Sequence, residues 1–246
     1  MDAPLFEVND LKVAYRRPGH APLMAVKGVT FTLQAGETLG IVGESGSGKS
    51  TIAKALLLLL PVAGGTVRFR GQDITRFSAA ERKAYRRDVQ MVFQDAVGSL
   101  NPRMTIRQAL AEALNQTVPG ESRRTPRELS GGQCQRALFA RALAVNPKVL
   151  VADEPVSALD VSVQARILNL LRDLRRNLNL AVILVAHDLA VVRNVCDRVC
   201  VMNEGLFVDA GPAEDVFAHP TAAYTKRLLA AVPDVARALA ERQATA

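Results

Sequence analysis

Cysteine is scarce in this chain, which has only Cys134, Cys196 and Cys200. An odd count without disulfide spacing excludes a stapled secreted scaffold and points to a reducing compartment. Cys196 and Cys200 are close enough in sequence to share a helix face or straddle a turn. Two thiolates without His or carboxylate partners make a poor metal site, so the cysteines are expected as small buried hydrophobes. Long apolar runs are missing as well. The longest, residues 55–60 and 180–186, fall far below the ~20 residues of a spanning helix, so the chain is not expected to cross a membrane by itself. The first residues, with Asp2 and Glu7, lack the basic-then-apolar pattern of an export signal. Glycine and proline number only 16 and 12 of 246 residues, well under the ~25–30% of low-complexity chains. Without internal repeats or heptad runs, solenoids and coiled coils are excluded, and most of the chain is expected to be ordered.

What is present is a length suited to one large α/β unit, or to a core with a small insertion, able to bury a real core without disulfides. Lysine and arginine number 31 against 24 aspartates and glutamates, a net charge of +7. That balance favours anionic partners: nucleotide phosphates, nucleic acid or an acidic membrane surface. It does not choose among them, and a solvated basic face explains it equally well.

Val29, Phe31 and Leu33 alternate with Thr30 and Thr32, which predicts a half-buried strand closed by a turn at residues 35–37. Residues 38–42 follow as a short apolar strand. Further strand-like runs at 89–93, 149–152, 181–186 and 199–202 are interleaved with helical stretches, so a mainly parallel sheet with helices on its faces is expected. Ser78 and Glu81 have capping-box spacing, Thr105 suits the start of a helix to Leu114, and Pro212 suits the first turn of a helix to Phe217. Residues 116–127 read as a loop. Residues 234–246, Ala-rich with scattered charges, read as a loosely docked helix or a frayed tail.

Chemistry concentrates in three places. Gly43-Glu44-Ser45-Gly46-Ser47-Gly48-Lys49-Ser50-Thr51 joins the 38–42 strand to a helical run ending near Leu60. Glycines let such a loop wrap closely, so that several N–H groups and a helix N-terminus face phosphates. Lys49 bridges the outer phosphates and Ser50 can ligate Mg²⁺. Without ligand, Lys49 is expected to be exposed to solvent. The strand at 149–152 ends in Asp153-Glu154, at the sheet edge where α/β proteins bind ligands. Consecutive strand residues point to opposite sides, so Asp153 is expected to support the Mg²⁺ shell while Glu154 addresses an attacking water. Alone, the pair would read as a solvated strand end. The third place is Leu129-Ser130-Gly131-Gly132-Gln133, both a helix N-cap and a second anion site, whose chance occurrence is on the order of a few in ten thousand chains.

With these motifs the chain resembles the nucleotide-binding subunits of ATP-binding cassette (ABC) transporters over nearly its whole length. The resemblance implies an α/β phosphate-loop NTPase core with a mainly parallel sheet, an N-terminal antiparallel β portion and a helical insertion. It also implies a head-to-tail dimer in which the phosphate loop of one subunit and Ser130, Gly131, Gly132 and Gln133 of the other sandwich each Mg·ATP. Tyr15 then resembles the aromatic that stacks on adenine, and Gln94 the glutamine that reaches Mg²⁺ and senses the permease. Ser157-Ala158-Leu159-Asp160 resembles the loop that communicates between subunits, and His187 the histidine that contacts the γ-phosphate.

Residues 90–95 and 99–105, with His219-Pro220 and Tyr224-Thr225-Lys226, resemble the oligopeptide, dipeptide and nickel importer subfamily. That implies a second ATPase subunit of the same or a related chain, transmembrane permease subunits and, indirectly, a solute-binding protein. The place of work would be the cytoplasmic face of the inner membrane, with no nucleic acid partner. One departure stands out: between Gln94 and Ser130 the chain is shorter than usual for that subfamily, near residues 116–127. The expected layout is a core with β portion at about 1–94 and 134–232, a reduced helical subdomain with the signature at 95–133, and a tail at 233–246. A soluble ABC ATPase acting on nucleic acid is the alternative, which the charge permits. Such relatives usually carry a long coiled-coil insertion or two cassettes in one chain, and neither is present here.

Overall fold

A computed structural model of the chain describes residues 3–96, 98–113, 125–157 and 159–231. They build two sheets. An antiparallel sheet has the order β2 (His20–Leu33), β1 (Phe6–Arg17), β4 (Gly64–Phe69), β5 (Gln72–Asp73). A second sheet has the order β10 (Leu206–Pro212), β9 (Arg198–Asn203), β3 (Thr38–Val42), β8 (Ala181–Ala186), β7 (Val149–Asp153), β6 (Val89–Val92). Its pairs are parallel except the β9–β10 hairpin. The mainly parallel sheet and the N-terminal antiparallel portion are both as expected.

The continuous apolar strands follow from burial on both faces. Along β8, Ala181, Ile183 and Val185 join a core shared with the antiparallel sheet, α1 (Lys49–Leu56) and α2 (Ala79–Asp88). Val182, Leu184 and Ala186 point the other way, into a core with α4 (Gly131–Leu143), α5 (Val161–Leu178), α6 (Leu189–Val195), α7 (Ala213–Ala218) and α8 (Ala223–Ala230). Each buried Val, Leu or Ile contributes about 1.5–3 kcal/mol, so the centre of the sheet is a rigid base for the loops at its edge. Gly40 marks one close approach: a Cβ there would lie 2.6 Å from Val192 Cγ1 of α6.

Local expectations hold with shifted ends. Ser78 and Glu81 form the capping box of α2. Thr105 Oγ1 accepts from Gln108 N at the start of α3 (Ile106–Ala113), and Leu114 lies outside the described residues. Helix α1 stops at Leu56, short of Leu60, because Leu58 takes φ 56° and the Tyr85 hydroxyl, 29 residues on, donates to the Leu56 carbonyl. Strand β6 is shorter than expected, while β7 and β9 are longer. Pro212 sits one position before α7, at its N-cap. All three cysteines are buried: Cys196 caps the end of α6 and Cys200 lies inside β9, so the two share no helix and stand on either side of the bend at Asp197. Residues 114–124, which hold most of the expected loop, and residues 232–246 lie outside the described residues.

Candidate active site

The phosphate loop leaves β3 and enters α1 with backbone conformations that only glycine adopts easily. Gly43 has φ 152° and Gly48 φ 112°, and a Cβ would lie 2.1 Å from Met202 O at the first and 2.4 Å from Ala25 O at the second. The loop is therefore pressed against β9 and β2, and Gly205 N donates to Ser47 O at 2.9 Å. Gly48 offers no side-chain cap to α1. The N–H groups of Ser45, Gly46, Gly48, Lys49 and Ser50 have no partner among the described residues, which is the donor set an anion at a helix N-terminus requires.

A cleft of about 780 Å³, open to solvent, lies over this loop. It is lined by Tyr15, Leu23 and Ala25 on one side, Ser45, Gly46, Gly48, Lys49, Ser50 and Thr51 below, and Gln94 and Glu154 beyond. Tyr15 Oη and Thr51 Oγ1 are hydrogen-bonded at 3.1 Å, tying the aromatic to the start of α1. Lys49 corrects the sequence expectation: it is 4% exposed, and its Nζ donates to Gly43 O and Glu44 O, each at 2.8 Å. Desolvation lowers its pKa, while Glu154, Asp153 and Glu44 oppose the shift.

The carboxylates also depart from the expected geometry. Asp153 ends β7, and its Oδ1 accepts from Ser50 Oγ at 2.9 Å. Glu154 is no longer in a strand. It takes φ 47°, with its N–H donating to Val185 O, so the side chain swings into the cleft instead of alternating away from Asp153. Its Oε2 accepts from Gln94 Nε2 at 3.0 Å and meets His187 Nδ1 at 3.3 Å. A carboxylate only accepts, so in this contact the ring carries its proton on Nδ1. Burial raises the Asp153 pKa, partly offset by the Ser50 hydrogen bond, so the charged form is held at a cost. Asp153→Asn is accordingly expected to raise the Tm of the ligand-free protein while impairing Mg²⁺-dependent hydrolysis. Thermal melts with and without Mg·ATP check it, and an equal or lower ligand-free Tm would contradict the burial argument.

Ser130, Gly131, Gly132, Gln133 and Asp160 do not line the cleft of their own chain. Ser130 Oγ accepts from Gln133 N and Gln133 Oε1 accepts from Ser130 N, closing a capping box on α4. The N–H groups of Gly131 and Gly132 are left without partners among the described residues. Gly132 has no room for a side chain, since a Cβ would lie 2.6 Å from Val163 Cγ1. Asp160 caps α5 through Val163 N at 3.0 Å, the hydrogen bond that chiefly lowers its pKa. Ala158, in the same loop, lies outside the described residues. Sequence reasoning missed Leu23 and Ala25, which extend the Tyr15 wall and carry no motif. It also missed the role of Tyr224, whose hydroxyl accepts from Glu44 N at 2.9 Å.

The ABC transporter family profile matches residues 26–157. The oligopeptide transport ATP-binding protein OppF of Salmonella typhimurium is 45% identical over 250 residues, covering 93% of this chain and 75% of that protein. The di/tripeptide transport ATP-binding protein DppF of Pseudomonas aeruginosa is 45% identical over 238 residues, covering 88% and 74%. Among solved structures, the ATP-binding cassette MJ0796, a dimer bound to ADP and Pi, superposes with TM-score 0.75 at 27% identity, covering 85% of this chain and 98% of that one. CbiO1 of Clostridium perfringens, part of the cbiONQ transporter complex, gives 0.77 at 27%, covering 89% and 92%. The chain belongs to the ABC transporter family and is one of its ATP-hydrolysing cassettes.

Proposed function

We propose that this ATPase drives peptide import as one of two cassettes closing head to tail around two Mg·ATP beneath partner permease subunits. The observation that carries the dimer is the start of α4: its free Gly131 and Gly132 N–H groups form an anion site unused in its own cleft, so each ATP site is completed by Ser130 to Gln133 of a second chain. The relatives reported above are named for oligopeptide and di/tripeptide transport, so peptides rather than nickel are the cargo, delivered to the permease by a solute-binding protein. The assembly works at the cytoplasmic face of the inner membrane. Among the described residues, α3 and the start of α4 supply its helical portion, between core segments at about 3–94 and 134–231.

In the proposed site, Tyr15 stacks on the adenine, and the free loop N–H groups and Lys49 bind the phosphates. Ser50, Asp153 and Gln94 present only hard oxygen donors, a set that fits Mg²⁺, and the ion would neutralise phosphate charge there. Glu154 takes the proton of the attacking water. Gln94 and His187, both on its Oε2, hold that carboxylate, and His187 reaches the γ-phosphate once the dimer closes.

Gln94 links the site to the chain beyond β6, which makes it the relay to the permease. Gln94→Ala, or charge reversal at Arg103 and Arg107, should cut peptide uptake by about tenfold or more while ATP affinity stays within about threefold. The measurement is uptake beside ATP binding in membranes reconstituted with the co-purified permease. Equal uptake by variant and parent would remove this segment from the relay. Failure of the parent to associate with any permease would favour a soluble role.

A further inference from the structure

We propose that Tyr224 is a positioning residue for ATP binding: from α8 it fixes the phosphate-loop peptide that holds the Lys49 ammonium. The proposal rests on the reading of residues 43–51 as the ATP phosphate site.

The Gly43–Glu44 peptide is held at both ends of its dipole. Its N–H donates to Tyr224 Oη at 2.9 Å, and its carbonyl, Gly43 O, accepts from Lys49 Nζ at 2.8 Å. Lys49 Nζ also donates to Glu44 O at 2.8 Å, so the orientation of this short stretch sets where the ammonium sits. A peptide following a glycine rotates with little steric resistance. Something must therefore hold it, and the phosphates do not: this N–H belongs to a residue outside the cleft lining.

Tyr224 is built to supply that hold. Its side chain is 8% exposed, packed in the core on the α4–α8 face of the sheet. The start of α8 is tied to β10 by Asp209, whose Oδ2 accepts from Ala222 N at 3.0 Å and whose Oδ1 accepts from Thr221 N and from the Thr221 hydroxyl. Strand β10 pairs with β9, and β9 with β3, whose end becomes the loop. The hydroxyl thus arrives from a fixed frame, 180 residues away in sequence, at one backbone donor.

Tyr224→Phe keeps the ring and its packing and removes only the acceptor. The unpartnered Glu44 N–H then lets the peptide rotate and the Lys49 anchor drift, which weakens phosphate binding without touching Glu154 chemistry. We expect the KM and Kd for ATP to rise about three- to tenfold, with kcat within about twofold of the parent. Amide hydrogen exchange at Glu44 in the full chain should accelerate by about tenfold. Unchanged KM and Kd would overturn the proposal, and so would unchanged exchange at Glu44. A lower Tm with unaltered KM would reduce Tyr224 to a packing residue and overturn it equally. If the parent chain itself binds no ATP, the phosphate-site reading fails and the proposal with it; parental binding with an indifferent Tyr224→Phe removes the proposal alone.

Discussion

Glu154→Gln is expected to bind ATP at least as tightly as the parent, to hydrolyse it about 10²–10⁴-fold more slowly, and to accumulate as a closed dimer. The arrangement around the carboxylate is the reason. Oε2 is occupied by Gln94 and His187, while Oε1 has no partner among the described residues and is left for water. Glutamine preserves the size and can still accept both contacts, but it has no charge with which to take a proton. Phosphate binding does not suffer, because the loop N–H groups and Lys49 are untouched and one anion near the phosphates has gone. Phosphate release kinetics, with size-exclusion chromatography in the presence of Mg·ATP, measure both halves. Parental turnover would show that another group is the base.

Lys49→Ala is expected to reduce ATP affinity on the order of 10²–10⁴-fold, since two charge-assisted hydrogen bonds to phosphate oxygens contribute about 1.5–3 kcal/mol each. A second effect follows from its burial. In the free protein the ammonium is shielded from water and bridges Gly43 O and Glu44 O, so its loss strands two carbonyls as well as removing a desolvated charge. The stranded carbonyls set the sign, because a buried acceptor left without a donor costs about 1–3 kcal/mol, while Glu154, Asp153 and Glu44 offset part of the desolvation of the charge. Stability should fall by about 1–2 kcal/mol, or a few degrees in Tm. Calorimetric titration and a thermal melt separate the two effects. ATP affinity within about threefold of the parent would sink the assignment of Lys49.

The sequence was most legible where short stretches decide their own structure. The two-faced burial of β8 is visible as an unbroken apolar run, and the capping box at Ser78 and the helix N-cap at Ser130 are each written within four residues. The phosphate loop was legible for the same reason, Gly43 and Gly48 marking positions that exclude a Cβ. Legibility ended where distant residues intervene. The apolar run after α1 looks helical to Leu60 until Tyr85 takes the Leu56 carbonyl. Lys49 looks solvated until its burial is seen, and the contact of Tyr224 with Glu44 has no local trace at all. Glu154 was misplaced for a subtler reason: strand alternation was carried one residue past the end of β7, where the backbone turns to φ 47°.

That one dihedral sets two kinds of selection against each other. An ordinary side chain in the left-handed region costs about 1–2 kcal/mol, which glycine would recover and asparagine would reduce. At position 154 the chain therefore carries a standing temptation: a screen for heat resistance would favour the replacements that abolish hydrolysis, whereas a screen for transport would retain the strained glutamate. In a lineage released from the need to transport, drift toward glycine or asparagine at this position would be an early mark of the lost function, arising while the surrounding sheet still looked intact.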